Sequence, residues 1–212
     1  MTADKTEIIA LRHGETEWNR KGIQQGHLDS PLTEPGRQQA LLAGRFLRAE
    51  GASRLYTSDL GRALRTAEII GAEVGLQPLI VPGLRERCLG LIQGMSLEEF
   101  SRKHPDECRL FLSSLPDYVP PEGESIRQRH ERIINAVMNI ADENAGTTII
   151  MVMHGGGLDS LLRHTLDIPL ESKRMFSLYN TSVARFTFGR EFKFLRSWGC
   201  TGHLSRTALD DF

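Results

Sequence analysis

Short apolar runs alternate with amphipathic stretches along most of this chain. The first apolar run, Glu7 to Leu11, predicts a strand. Thr33 then stands as an N-cap, with Pro35 in the first turn and Leu41, Leu42, Arg45 and Phe46 at helical spacing until Gly51 supplies a stop. A second strand covers Arg54 to Thr57. Ser58 and Asp59 offer caps for the next helix, whose Ala63, Ala67, Ile70 and Val74 share one stripe before Gly75 closes it. Pro78 to Val81 reads as a third strand. Thr147 to Met153 reads as a fourth, leading through Gly155-Gly156-Gly157 into a helix with Leu158, Leu161, Leu162 and Leu166. Val183 to Phe188 and Phe192 to Trp198 complete the fold as two edge strands, expected to form an antiparallel pair. The alternation predicts βαβ units and hence a three-layer α/β/α sandwich around a mostly parallel central sheet.

The alternation breaks between the third and fourth strands. Ser96-Leu97-Glu98-Glu99 is a capping-box pattern that opens a helix to about His104, and Pro105 starts another that reaches Leu115 before Pro116. A turn-rich run from Pro116 to Glu124 follows. Ser125 then caps a long helix whose Ile133, Ile134, Val137 and Ile140 match a 3.6 period. Residues 92–124 are therefore expected to form a small helical lid inserted in one domain spanning 1–212. The chain has no internal repeat.

Composition narrows the function. The 212 residues are 40% hydrophobic and 25% charged, with a formal charge of -1. A binder of nucleic acid or of an anionic membrane would show a clustered basic excess, so neither partner is expected. The longest apolar stretch, Thr148 to Met153, is far too short to span a bilayer, and the start of the chain lacks a signal peptide's apolar region; a cytoplasmic protein is expected. Cys88, Cys108 and Cys200 are odd in number and widely spaced, so they read as reduced thiols rather than a disulfide framework.

Candidate chemistry gathers where the strands end. Arg12 and His13 follow the first, Arg62 stands at the helix start after the second, Glu86 lies beyond the third, and His154 follows Met153 directly. In an open parallel sheet these ends converge on one crevice. Two arginines there imply an anion. The planar guanidinium fork matches phosphate oxygens, and its permanent charge suits Arg12 and Arg62 to clamp a phosphoryl group. Positive neighbours bias a histidine toward the neutral, nucleophilic form. His13 is the better nucleophile candidate, because Gly14 beside it leaves room for a phosphoryl group. His154, before Gly155 and a helix N-terminus able to donate N–H bonds, is assigned to stabilising the transferring group. Glu86 is the carboxyl group best placed to protonate a leaving alkoxide and then activate water. Glu15 reads as a residue that orients a histidine or arginine.

At this point the chain closely resembles the histidine phosphatase superfamily, on the branch containing cofactor-dependent phosphoglycerate mutases and their phosphatase relatives. The resemblance rests on Arg12-His13-Gly14-Glu15-Thr16-Glu17-Trp18-Asn19, Gln25-Gly26-His27-Leu28-Asp29-Ser30-Pro31-Leu32-Thr33, Thr57-Ser58-Asp59-Leu60-Gly61-Arg62-Ala63, Leu84-Arg85-Glu86 and Met153-His154-Gly155-Gly156, all in the family's order. It implies that His13 becomes phosphorylated, that Arg12, Arg62 and His154 hold the phosphoryl group, that Glu86 is the proton donor, and that Asn19 with Gln25-Gly26 helps bind phosphate. It implies no metal and no other cofactor.

Hydrolysis is the favoured outcome over mutase chemistry. The family's mutases carry a tyrosine-glycine pair after the acid and a longer insertion with paired arginines; here Cys88-Leu89-Gly90-Leu91-Ile92-Gln93-Gly94-Met95 follows, with no such pair before Pro120-Pro121. A shorter lid admits water to the phosphohistidine. Arg102, Lys103 and Arg109 remain available to an acidic substrate, whereas apolar Leu91, Ile92, Met95, Phe100, Phe111 and Tyr118 suit a less charged one or a lid core. The expected partner is a small phosphorylated metabolite, and exposed apolar surface leaves room for a homodimer. Two other readings stay open. His13, His154, Glu86 and Asp29 could ligate a metal, against which Arg12 and Arg62 count, and the pocket could bind a phospho-ligand without turnover. His203 is expected to fold back near the pocket, while His27, His104, His130 and His164 read as surface or satisfied polar residues.

Overall fold

The computed structural model describes residues 5–204. Its strands are β1 (Lys5–Arg12), β2 (Arg54–Thr57), β3 (Pro78–Ile80), β4 (Thr148–Met153), β5 (Val183–Gly189) and β6 (Phe192–Cys200). The helices are α1 (Glu17–Arg20), α2 (Glu34–Leu47), α3 (Gly61–Val74), α4 (Leu97–Lys103), α5 (Pro105–Leu112), α6 (Ile126–Glu143) and α7 (Gly155–Leu166). The strands form one six-stranded sheet in the order β3-β2-β4-β1-β5-β6. β3, β2, β4 and β1 run parallel, while β5 and β6 are antiparallel. The antiparallel pair is as expected, but of these two strands β6 is an edge and β5 is not, since β5 also pairs with β1.

The central strands are apolar on both faces because helices cover both. Ile8, Ala10, Ile149 and Met151 face Ile133, Val137 and Leu161 of α6 and α7. The alternate residues Ile9, Leu11, Ile150 and Val152 face Ala43, Leu47, Ala67 and Ile70 of α2 and α3. Period-2 alternation thus divides each strand between two cores, the expected three layers.

Caps explain most helix starts. Thr33 accepts from Gly36 N at 2.9 Å and Ser125 from Gln128 N at 3.0 Å, and Gly75 ends α3 with φ 75°. α3 departs from expectation. Its N-cap is Leu60, with no capping side chain of its own. The first amide is instead bound from a distant loop, Gly61 N donating to Asp29 Oδ2 at 2.6 Å. α1 was not anticipated, since one turn capped by Thr16 carries no apolar stripe, and α5 stops at Leu112 rather than Leu115. The segment expected as a lid holds α4 and α5 and encloses its own small core of Leu89, Ile92, Phe100 and Cys108, with Leu91, Met95 and Phe111 against it. Tyr118 donates its hydroxyl to Glu107. These apolar residues are therefore lid core, which removes the argument for an apolar substrate. Among the described residues no helix is long and apolar enough to cross a membrane.

Candidate active site

The parallel register of β1 and β4 pairs Arg12 with Met153, so the residues that follow, His13 and His154, leave the sheet side by side. His13 N donates to Met153 O at 2.9 Å, and the two imidazole centroids lie 5.3 Å apart. Burial is nearly complete, at 1% exposure for Arg12, 3% for His13, 2% for Arg62 and 0% for His154.

His13 bonds through Nδ1 to the carbonyl oxygen of Gly14 at 2.8 Å. A carbonyl only accepts, so Nδ1 carries the hydrogen and Nε2 keeps its lone pair. Burial first, then Arg62 and Arg12, hold the His13 pKa well below its ordinary value. His154 is lowered the same way, by burial and by Arg62, His13, Arg12 and His27, and neither of its ring nitrogens has a hydrogen-bond partner among the described residues.

Backbone carbonyls and one carboxylate fix the arginines. Arg12 Nη1 donates to Leu178 O at 2.8 Å. Arg62 donates to Leu28 O, Asp29 Oδ1 and Gly26 O, each at 2.8 Å, and its Nε is buried with no hydrogen-bond partner among the described residues. Asp29 is thus spent on Arg62 and the α3 amides, which takes from the metal reading one of its four ligands. Glu86 stands at the opposite side, on the N-terminus of α7: Oε2 accepts from Gly156 N at 2.8 Å and Oε1 from Arg87 N at 2.7 Å. Arg132 holds this loop, donating to the carbonyls of Gly83, Arg85 and Glu86 while pairing with Glu124.

The remaining expected residues fall nearby with different partners. Asn19 Oδ1 accepts from Thr16 N at 3.1 Å, closing the capping box of α1, and Gln25 Nε2 donates to Thr16 Oγ1 at 2.9 Å, so both brace the loop after β1. Gly26 supplies a carbonyl to Arg62, and Gly155 lies against Arg12, where an added Cβ would meet Nε at 3.9 Å. Two readings need correction. The face of Gly14 without a Cβ meets Gly36 O of α2, not a space for a ligand. Glu15 accepts from Thr33 Oγ1 at 2.6 Å and so ties the loop to α2 rather than orienting a histidine or arginine. His203 stacks on Phe46 of α2 at 5.1 Å and stands near the backbone of Thr181, whose N donates to Arg12 O at 3.0 Å.

Sequence reasoning missed Asp29 as an arginine anchor, His27, whose Nε2 bonds to Glu86 O at 2.8 Å, and Asn180, whose Nδ2 donates to His13 O at 2.9 Å. A signal existed for the last: Asn180, Thr181 and Ser182 are a polar run directly before an apolar strand, and all three are buried.

Residues 8–201 match the family described as histidine phosphatase superfamily (branch 1). The chain belongs to this superfamily. Among its relatives, phosphoglycerate mutase-like protein 4 of Arabidopsis thaliana is 38% identical over 97% of this chain and 90% of its own length. YhfR of Bacillus stearothermophilus superimposes with a TM-score of 0.86 at 34% identity, over 93% of this chain and 98% of that chain. A mycobacterial glucosyl-3-phosphoglycerate phosphatase, solved with VO3, superimposes with a TM-score of 0.79 at 28% identity, over 92% and 99% of the two chains.

The buried histidines make stability depend on pH. In the unfolded chain each takes a proton near pH 6.5, but in the native state only at lower pH, so the unfolded state binds more protons below 6.5 and stability falls as the pH drops. For His13 and His154 the expected loss is about 1.4 kcal/mol per pH unit each once the pH is below 6.5. Urea unfolding at pH 7.5, 6.5 and 5.5 checks this. An identical pH slope in a variant lacking both imidazoles contradicts it.

Proposed function

We propose that this protein is a metal-independent phosphatase that hydrolyses a small phosphate monoester through a phosphohistidine at His13. The observation that carries the reading is the state of His13: neutral, with Nδ1 committed to Gly14 O and an available lone pair on Nε2, between two arginines and a second neutral imidazole.

Arg12, Arg62 and His154 hold the phosphoryl oxygens, with Asn19, Gln25, Gly26 and Gly155 shaping the loops around them. Nε2 of His13 attacks phosphorus, and the P–N bond forms as the ester P–O bond breaks. Glu86 gives its proton to the leaving oxygen. As a carboxylate it then takes a proton from water, whose oxygen displaces His13 from phosphorus and releases inorganic phosphate. The charge spread over the phosphoryl oxygens in each transition state is met by fixed guanidiniums that are already desolvated. No step asks for a metal.

The relative named as mutase-like supports a second reading, in which the phosphoryl group returns to the substrate at another oxygen. Phosphate release from p-nitrophenyl phosphate and a metabolite panel in the presence of chelator, together with a test of 3-phosphoglycerate for isomerisation, separates the two. The expected result is chelator-insensitive release without isomerisation; isomerisation faster than release replaces the phosphatase reading with the mutase one, and no turnover of any ester leaves a binding module.

A further inference from the structure

The peptide of Glu86 is held from two sides. On one, Arg132 of α6 donates to the carbonyls of Gly83, Arg85 and Glu86. On the other, His27 bonds through Nε2 to Glu86 O at 2.8 Å. A carbonyl oxygen only accepts, so Nε2 carries the hydrogen and donates it. His27 belongs to the loop that fixes the phosphate clamp. Its neighbours Gly26 and Leu28 give their carbonyls to Arg62 and Asp29 gives a carboxylate oxygen, each at 2.8 Å. The ring therefore ties the backbone of the acid to the segment that fixes the arginine.

Gln93, at the start of the lid segment, holds His27 in turn. Its Oε1 accepts from His27 N at 2.7 Å and from Leu89 N at 3.2 Å, with Cys88 Sγ at 3.7 Å. One oxygen thus gathers donors from the clamp loop and from the segment just after Glu86. The side chain reaches this point across Gly26, whose φ is +52° and where an added Cβ would stand 2.2 Å from Oε1 and 2.8 Å from both Cγ and Cδ. A residue without a side chain is what lets the amide pass. Backbone bonds fasten the two segments farther along, Gln24 N donating to Met95 O at 2.9 Å and Gly94 N to Gln24 O at 2.8 Å. The base of the lid stays attached without the amide. What the amide adds is local: the placement of His27 and Leu89 about Glu86.

We infer that Gln93 is a positioning residue for Glu86, acting through His27, and that it sets where the acid stands relative to the phosphate clamp. The inference rests on the proposed role of Glu86 as proton donor. Proton transfer needs the carboxyl group within about 2.6–3.2 Å of the leaving oxygen. Loss of the Gln93 acceptor therefore slows the departure of a leaving group that needs a proton, and leaves the grip on phosphate as it was.

The test compares kcat/KM for phenyl phosphate and p-nitrophenyl phosphate. This ratio ends with departure of the leaving group, so later hydrolysis of the phosphohistidine does not enter it. Phenol, with a pKa of about 10 like a tyrosine side chain, leaves poorly without a proton; the nitro group lets p-nitrophenolate leave unaided. Glu86→Gln is expected to slow phenyl phosphate by about 10^2- to 10^4-fold and p-nitrophenyl phosphate far less. Gln93→Met, which keeps the length and loses the acceptor, is expected to slow phenyl phosphate at least about tenfold more than p-nitrophenyl phosphate. Gln93→Glu keeps the acceptor and should return the ratio of the two esters to within about threefold of wild type. His27→Leu is expected to behave as Gln93→Met does, and the double variant to add little, because both break one strut; His27→Leu also carries the test should Gln93→Met fail to fold. A fall shared equally by both esters in Gln93→Met and His27→Leu, or no fall, overturns the inference and leaves the phosphatase reading intact. An equal effect of Glu86→Gln on both esters removes the acid itself, and the inference with it. If wild type turns over neither ester, calorimetric titration with orthovanadate and with inorganic phosphate decides. Vanadate in its five-coordinate form offers an apical oxygen to Glu86, so Gln93→Met should weaken vanadate at least about tenfold and phosphate little; equal changes for the two anions overturn the inference.

Discussion

His13→Ala protein is expected to lose phosphate release by at least about 10^4-fold while keeping its fold, because the lost atom is the nucleophile and not a packing group. The ring bonds to Gly14 O and lies beside the imidazole of His154. Truncation leaves the arginines in place, since Arg12 is held by Leu178 O and Arg62 by Asp29 and the carbonyls of Gly26 and Leu28. The variant should therefore still bind orthovanadate, with urea stability near that of wild type at pH 7.5. Alkaline detergent quenching of wild type with a labelled ester should trap protein-bound phosphate that later acid treatment releases and alkali does not, as a P–N bond requires, and the variant should trap none. Residual turnover within tenfold of wild type would assign the nucleophile elsewhere.

Gly36→Ala is expected to be a severely damaging substitution of a single methyl group beside the active site. A Cβ at Gly36 would stand 2.0 Å from Glu15 O and 2.9 Å from Glu15 C, both backbone atoms of the loop that follows His13. Neither partner is a flexible side-chain end, so α2 or the loop must move. Overpacking of this kind costs about 1–3 kcal/mol, and more where backbone is met on both sides. For a chain of this size that is a fall in Tm of roughly 3–10 °C. The loop also carries Gly14 and Thr16, so kcat should fall with stability. Gly202→Ala, where nothing lies within 4 Å of the added atom, is the matched control and should change neither. Equal behaviour of the two variants would show that α2 yields without cost.

Much of the architecture was legible because it is encoded locally. Strands that bury both faces need unbroken apolar runs, and β1 and β4 have them; helices need a 3.6 stripe and a cap, and α2 and α6 have Thr33 and Ser125 at their starts. The failures are as physical. α3 carries no cap in its own sequence because Asp29 supplies it from another loop. Glu15, read as an orienter of the site, serves the α2 cap through Thr33. Gly14, read as space for a ligand, is space for α2. In each case the partner lies elsewhere in the chain, and composition near the residue says nothing of it.

By itself the sequence determined the layered α/β class, the order of its elements and the small set of Arg, His and Glu residues at strand ends, because periodicity, capping and strand-to-helix turns act over a few residues. The tertiary structure alone decided that His13 meets His154, through the parallel register of Arg12 with Met153, that Asn180 reaches His13 O from 167 residues away, and that Arg129 comes up to Glu86 over Gly156. The physical reason is that such pairings are selected by the burial of two apolar sheet faces between helices, a global term to which no short stretch of chain is sensitive.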